Sequence, residues 1–311
     1  MGAPAVCVFP GQGAQRVGMG RDLAEAFACA RAVFEEVDAC LGFALSRLCF
    51  DGPAETLALT EHAQPAILAA SVAAFRVVEE TAGFRPVAVA GHSLGEWSAL
   101  VVAGALPLGD AVEGVRERGR LMQDAVPVGR GAMAAIIGLD QSTVETLCAE
   151  AARDEIVAPA NLNGGGQIVV AGHAAAVDRV VALASARKAR AQKLAVSAPF
   201  HCALMRPAGE GLRPVLARCR FTEPRVPVVT SVEARVVTSA AELPALLERQ
   251  VTAPVRWEET VRVLVDRGAS LALEVGPGRT LTGLMKRIAP ELRTIPAGDL
   301  EGARQAREAL A

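Results

Sequence analysis

The segment that most limits what this chain can fold into is VAVAGHSLGEWSAL, residues 87–100. An apolar run from Val87 to Ala90 passes into Gly91-His92-Ser93-Leu94-Gly95 and then directly into helical sequence. This is G-x-S-x-G in the strand-turn-helix context that a nucleophile elbow requires. The glycines permit close backbone approach at a strained turn, and the helix N-terminus behind Ser93 favours developing negative charge. An α/β architecture with Ser93 as candidate nucleophile follows. A Gly-rich turn whose serine only caps the helix is the plainer reading of the bare pentapeptide.

The flanking sequence agrees with that class. A strand is expected over Ala5 to Phe9, then the turn Pro10-Gly11-Gln12-Gly13, a helical stretch Gly20 to Cys40 and a second helix Gln64 to Thr81. Strands alternating with helices predict a mostly parallel sheet. Between Pro127 and His201 the pattern changes. Strand 132–139, helix 141–153, strands 156–162 and 167–171, helix 174–186 and strand 192–196 read as β-α-β-β-α-β, the split pattern of a ferredoxin-like unit. VPVGRG and VSAPFH bound it, both rich in Gly, Pro or Ser. Residues 128–197 are therefore expected to form a small subdomain inserted into a larger α/β subdomain of residues 1–127 and 198–311. After it come a helix near 202–219, a strand near 226–231, helices near 244–250 and 258–266, a strand 271–275 and a last helix from Thr280.

Composition removes several function classes. The 311 residues are 51% hydrophobic and 21% charged, enough for a sizeable core and against extended disorder. A net charge of -2, 4% aromatics and no tyrosine leave little for a nucleic-acid surface. The longest apolar runs, such as Pro65 to Phe75, fall short of the roughly 20 residues of a membrane helix. The N-terminal MGAPAVCVFPGQG lacks a basic n-region, and Val6 stands where myristoylation wants Ser or Thr, so a cytoplasmic protein is expected. Seven scattered cysteines with no C-x-x-C pair fit reduced thiols, with neither a disulfide framework nor a metal site.

A serine nucleophile needs a base, and the chain has four histidines. His92 adjoins Ser93 on the same turn, where neighbouring side chains diverge. His173 lies at a strand-to-helix turn suited to capping or surface packing, and His62 falls in a loop candidate, TEHAQP. His201 follows the restricted Ala198-Pro199 step and opens a helix, a rigid placement suited to a general base. On the helix from Gly109 to Val126, the apolar series Ala111, Val115, Met122 and Ala125 takes in Arg118. A guanidinium on a buried face needs an anion, and its planar fork suits a carboxylate. That anion belongs either to an internal Asp or Glu or to a substrate. Gln12 ends the first strand, at the sheet edge where open α/β folds bind ligands. The loop lacks the spacing of a dinucleotide or P-loop motif, but a backbone N–H there could complete an oxyanion hole with that of Leu94. A plain strand-to-helix turn is the alternative.

The segments FPGQGAQ, DGPAETL, TEHAQPAILA, GHSLGEWSAL, RGRLMQDAV, GAMAAIIGL, NLNGGGQIVVAGH, FHCALM and EVGPGRTLTGLMKRI resemble, in order and end to end, malonyl-CoA:acyl carrier protein transacylases. The resemblance implies a hydrolase-like α/β subdomain with an inserted ferredoxin-like subdomain. It also implies a ping-pong transfer in which the malonyl thioester acylates serine, CoA leaves, and the phosphopantetheine thiol of a carrier protein takes the acyl group. By that likeness Ser93 is the nucleophile, His201 the base and Arg118 the grip on the malonyl carboxylate. Gln12 and Leu94 supply the oxyanion donors, and the main-chain carbonyl of Gln250, in ERQVTAPVRW, orients the histidine. Trp97 stands where the family often has Tyr, and Phe200 before His201 resembles a pairing found in malonyl-selective polyketide domains, although some fatty-acid relatives have Ser there.

The implied partners are malonyl-CoA and an acyl carrier protein, both as substrates, with no resident cofactor, no nucleic acid, no membrane and a monomeric chain. Arg187, Lys188, Arg190 and Lys193 could dock an acidic carrier or form an ordinary solvated helix end. The competing class is a serine esterase or thioesterase of the α/β-hydrolase kind. It shares the elbow, but no HGGG-type motif precedes Ser93, and a hydrolase does not need Arg118. A catalytically silent carrier-binding module would not retain both Ser93 and His201.

Overall fold

The fold is described from a computed structural model covering residues 4–311. In chain order the strands are β1 Ala5–Phe9, β2 Val89–Gly91, β3 Gly131–Ile137, β4 Val157–Gly164, β5 Gln167–His173, β6 Arg190–Lys193, β7 Val228–Val229, β8 Val236–Val237, β9 Leu271–Glu274 and β10 Arg293–Pro296. The helices up to the second sheet are α1 Arg21–Ala26, α2 Ala28–Leu41, α3 Leu45–Asp51, α4 Ala54–Leu57, α5 Thr60–Ala82, α6 Gly95–Val102 and α7 Leu108–Asp124. Those that follow are α8 Gln141–Ala152, α9 Ala174–Ala186, α10 Arg206–Leu216, α11 Leu243–Gln250, α12 Trp257–Asp266, α13 Thr280–Ile288 and α14 Leu300–Leu310. Among these residues no helix is long and apolar enough to cross a membrane.

Two sheets organise the chain. The first has six strands in the order β10-β9-β1-β2-β7-β8, parallel except for the edge strand β8. Its central strand is apolar at every position because both faces are covered. Ala5, Cys7 and Phe9 face the core that holds α5, whereas Val6 and Val8 face Trp257, Val261, Leu281 and Met285 of α12 and α13. The second sheet has four antiparallel strands in the order β4-β5-β3-β6. One of its faces builds a core of its own with α8 and α9, through Ile136, Leu147, Val170 and Val180. On the other face Met133, Ala135, Val169 and Ala171 join the core of the large sheet.

Several boundaries differ from the sequence expectation. The stretch after Gly20 is two helices, because Phe27 takes an extended conformation (φ -127°, ψ 128°) between them. His62 lies in the first turn of α5, not in a loop. His201 does not open a helix; it sits on a turn before a short 3-10 segment, Ala203–Met205, that leads into α10. The last helix does not run on from Thr280. Pro290 forbids the helical ladder and pushes Ala289 out of helical geometry (φ -140°, ψ 78°). A further parallel strand, β10, and the helix α14 with its Asp299 cap follow.

The meeting of β1, β2 and α6 places the site. Gly91 pairs with Phe9 at the carboxyl ends of neighbouring strands, and α6 starts directly over them. A methyl group on Gly91 would stand 1.9 Å from the Gly95 carbonyl carbon, and one on Gly95 would stand 2.0 Å from the Phe9 carbonyl oxygen. Both contacts are with backbone, which cannot turn aside as a side chain can, so the two glycines of G-x-S-x-G are the condition for this crossing. Gly95→Ala should therefore lower stability by at least about 1–3 kcal/mol, the usual range for overpacking a rigid core. Urea unfolding of the variant checks this, and an unchanged midpoint would mean that the helix can lift off β1 freely.

Candidate active site

Ser93 stands at the apex of the elbow with φ +52°, a left-handed conformation that costs a non-glycine residue energy and is held by its surroundings. The turn is closed by Gly95 N–H donating to His92 O (2.9 Å) and Glu96 N–H donating to Ser93 O (3.1 Å). His201, 4% exposed and also at positive φ (+60°), brings Nε2 to 2.7 Å from Ser93 Oγ. Its Nδ1 lies 2.8 Å from the main-chain oxygen of Gln250. A carbonyl can only accept, so Nδ1 carries the proton and Nε2 presents its lone pair to the serine hydroxyl. Burial, then the charge of Arg118, pull the His201 imidazole down to about 3, so the ring is neutral and ready to accept a proton at ordinary pH.

Arg118, on α7, is 2% exposed. Its Nη1 donates to Gln64 Oε1 (2.8 Å), and its Nη2 donates to Gln250 Oε1 (3.0 Å) and Ser93 Oγ (3.1 Å). All three acceptors are neutral oxygens. Of the two anions left open by the sequence, an internal carboxylate is not the contact partner. The buried carboxyl of Glu96 lies behind the Gln250 amide, which donates to it at 2.8 Å. Burial lowers the guanidinium to about 10, with Glu96 pulling it back up, so Arg118 remains a cation.

Gln12 and Leu94 line the same cavity of about 300 Å³, with Ser93, Arg118, Phe200 and His201. The Gln12 side chain donates to Thr60 Oγ1 at 3.2 Å. His92 also lines this cavity, with its ring engaged by neighbours other than Ser93. Its Nε2 lies 3.0 Å from Asn163 Oδ1 on β4, its ring packs on Trp257, and burial lowers its pKa. His173 accepts from Ile156 N–H, and His62 Nδ1 contacts Thr56 O, neither in this cavity. Cys202 is buried and does not line this cavity; its thiol donates to Pro199 O and is pushed up to about 11 by burial, which disfavours the thiolate. Arg187, Lys188, Arg190 and Lys193 are all exposed, with Lys193 paired to Asp178.

The structure brings Gln12, Ser93, Leu94, Arg118 and His201 to this cavity and sets Gln250 against Arg118 and His201 in its wall, together with three residues that the sequence did not single out, Gln64, Glu96 and Ser231. Gln64 and Ser231 gave no pattern signal. Glu96 did: it is a carboxylate inside the buried run GEWSALVV, and the argument applied to Arg118 on α7 applies to it.

Residues 6–301 match the model of the acyl transferase domain family. The malonyl CoA-acyl carrier protein transacylase of Escherichia coli K12 is 48% identical over 286 residues, 92% of this chain and 93% of the relative. The enzyme of the same description from Bacillus subtilis 168 is 45% identical over 296 residues, 94% of this chain and 93% of the relative. Among solved structures, the malonyl CoA-acyl carrier protein transacylase of Coxiella burnetii superposes with a TM-score of 0.97 at 40% identity, covering 100% of this chain and 98% of that one. A malonyl-transacylase solved in complex with its type II polyketide acyl-carrier protein superposes with a TM-score of 0.96 at 46% identity, covering 98% of this chain and 99% of that one.

The depressed His201 also sets a pH dependence of stability. The unfolded chain binds a proton here near the ordinary 6.5, the folded chain only near about 3. Between those values the unfolded state holds more protons, so stability falls as pH falls, by up to about 1.4 kcal/mol per pH unit from this group. His201→Gln should flatten the slope of unfolding free energy against pH below 6.5. An identical slope in the variant would place the proton uptake elsewhere.

Proposed function

From the premise that the chain belongs to the acyltransferase family of malonyl CoA-acyl carrier protein transacylases, we propose that it transfers a malonyl group from malonyl-CoA to the phosphopantetheine thiol of an acyl carrier protein, through a malonyl-serine intermediate. The observation that carries this reading is the buried guanidinium of Arg118, 3.1 Å from Ser93 Oγ and contacted only by neutral acceptors. A cation so placed beside a nucleophile suits an acyl group that ends in a carboxylate.

In the first half-reaction Ser93 Oγ attacks the thioester carbonyl as its proton passes to His201 Nε2. The N–H groups of Leu94 and Gln12 receive the oxyanion. The C–S bond then breaks, and the CoA sulfur leaves with the proton held by His201. In the second, the carrier thiol gives its proton to the same nitrogen and attacks the serine ester, and Ser93 recovers the proton as it leaves. The Gln250 carbonyl keeps Nδ1 protonated in both directions, which holds the tautomer that the relay needs. Malonyl-CoA and the carrier enter as substrates, so the scheme asks for no resident cofactor or metal and for only one copy of the chain.

We read residues 128–197 as a ferredoxin-like subdomain inserted into the α/β subdomain of residues 1–127 and 198–311. The β-α-β-β-α-β order and the sheet order β4-β5-β3-β6 support this. Its exposed Arg187, Lys188 and Arg190 offer an acidic carrier a cationic face. An esterase of the α/β-hydrolase type would share Ser93 and His201 but has no use for Arg118.

Incubation with malonyl-CoA and no acceptor should leave a malonyl adduct on the peptide that contains Ser93, read by mass spectrometry, and Ser93→Ala should abolish it. An adduct on any other residue overturns the assignment. Arg118→Ala should lower kcat/KM for malonyl relative to acetyl transfer by a factor of about 30 to several thousand, the cost of truncating one partner of a buried charged pair. Equal losses on both substrates would make the arginine structural and remove the main support for a carboxylated acyl group.

A further inference from the structure

Glu96 is the third residue after Ser93, and none of the steps above uses it. It lies in the first turn of α6 with 1% of its surface exposed. One carboxyl oxygen, Oε2, accepts hydrogen bonds from Ser231 N (2.9 Å), Ser231 Oγ (2.7 Å) and Gln250 Nε2 (2.8 Å). The other, Oε1, has no partner among the described residues, so what Glu96 holds it holds through Oε2.

The Gln250 side chain lies between this carboxyl group and Arg118. Its Nε2 donates most closely to Glu96 Oε2 (2.8 Å) and at longer range to Ser231 Oγ (3.1 Å) and Ser93 O (3.2 Å), and its Oε1 accepts from Arg118 Nη2 at 3.0 Å. A guanidinium has donors only, so the amide must show it the oxygen. An acceptor at position 96 makes that orientation the stable one, because it takes up the amide N–H and both donors of Ser231. Without it, Ser231 N–H and Oγ–H lose their acceptor and Gln250 Nε2 keeps only its longer bonds to Ser231 Oγ (3.1 Å) and Ser93 O (3.2 Å), whereas a turned amide would offer Ser231 its Oε1 oxygen in place of the lost carboxylate. If the amide turned over to serve Ser231, it would aim its NH2 at the guanidinium, donor against donor. Arg118 would then be driven from its place beside Ser93 Oγ.

We propose that Glu96 is a positioning residue for acyl-group selectivity, fixing the orientation of the Gln250 amide and so holding the Arg118 guanidinium at Ser93. The inference rests on the reading that Arg118 receives the malonyl carboxylate. It acts through an acceptor atom, and the charge of Glu96 is not what it needs.

The test measures kcat/KM for malonyl and acetyl transfer to an acyl carrier protein, using full-length variants. Glu96→Met, which has no acceptor, should lower the malonyl-to-acetyl ratio about tenfold, the scale of one hydrogen bond to a charged group. Glu96→Gln should keep the ratio, because its amide oxygen can occupy the place of Oε2. In an Arg118→Ala background, Glu96→Met should change the ratio no further. Should Glu96→Met not fold, Gln250→Met decides: it deletes the bridging amide, keeps the main-chain carbonyl, and should lower the ratio by a similar factor. Equal losses on both substrates in the Met variants, a loss in Glu96→Gln as large as in Glu96→Met, or a further fall on top of Arg118→Ala would each overturn the inference. A ratio that falls in Arg118→Ala but not in Glu96→Met or Gln250→Met overturns it alone. A ratio unchanged in Arg118→Ala overturns the reading beneath it as well.

Discussion

Taking Arg118 out of water costs several kcal/mol, and proteins usually offset such a cost with a carboxylate in contact with the cation. Here the contacts are the amide oxygens of Gln64 and Gln250 and the hydroxyl of Ser93. The positive charge is solvated by protein dipoles, and the buried carboxyl group of Glu96, its pKa raised by burial, stands one amide away. This arrangement keeps the cation available to an incoming anion, which a direct ion pair would not. It also constrains the rest of the site. The same Gln250 that faces Arg118 with its side chain faces His201 with its main chain, so the guanidinium and the imidazole are both held by one residue at the end of α11.

Ser93 and His201 both occupy left-handed backbone conformations that cost non-glycine residues energy. Each is held from outside its own segment. The elbow is pressed on β1 through Gly91 and Gly95, and His201 is tied by Nδ1 to α11. Preorganisation of this kind means that donor and acceptor need not search for one another during the reaction. It also makes the site sensitive to changes in strands that carry no functional side chain.

Much of this was legible in the sequence because it is written locally. The elbow, the apolar strand before it and the arginine on a buried helical stripe are patterns of neighbouring residues, and the structure brought Gln12, Ser93, Leu94, Arg118, His201 and Gln250 to one cavity and its immediate wall. The chain after Pro290 was misread because Arg293–Pro296 looks like no isolated strand; it becomes one only by pairing with β9. Short helices such as α3 and α4 have too few residues to carry a period. The bridge from Glu96 through Gln250 to Arg118 joins three helices; the buried carboxyl and the buried arginine each show in their own segment, but nothing local shows that Gln250 links them.

The register of the central strand carries a consequence for how the molecule comes into being. β1 lies between β2 and β9, with Ala5 paired to Leu271. As the chain leaves the ribosome, the second edge of its first strand has no native neighbour until almost all of the protein has been made. Pairings that span so much sequence close late and slowly. The site draws on residues from Gln12 to Gln250, so it is finished only near the end of the same process. A nascent or truncated chain would carry the serine without its histidine, and chemical competence would arrive as one of the last acts of folding.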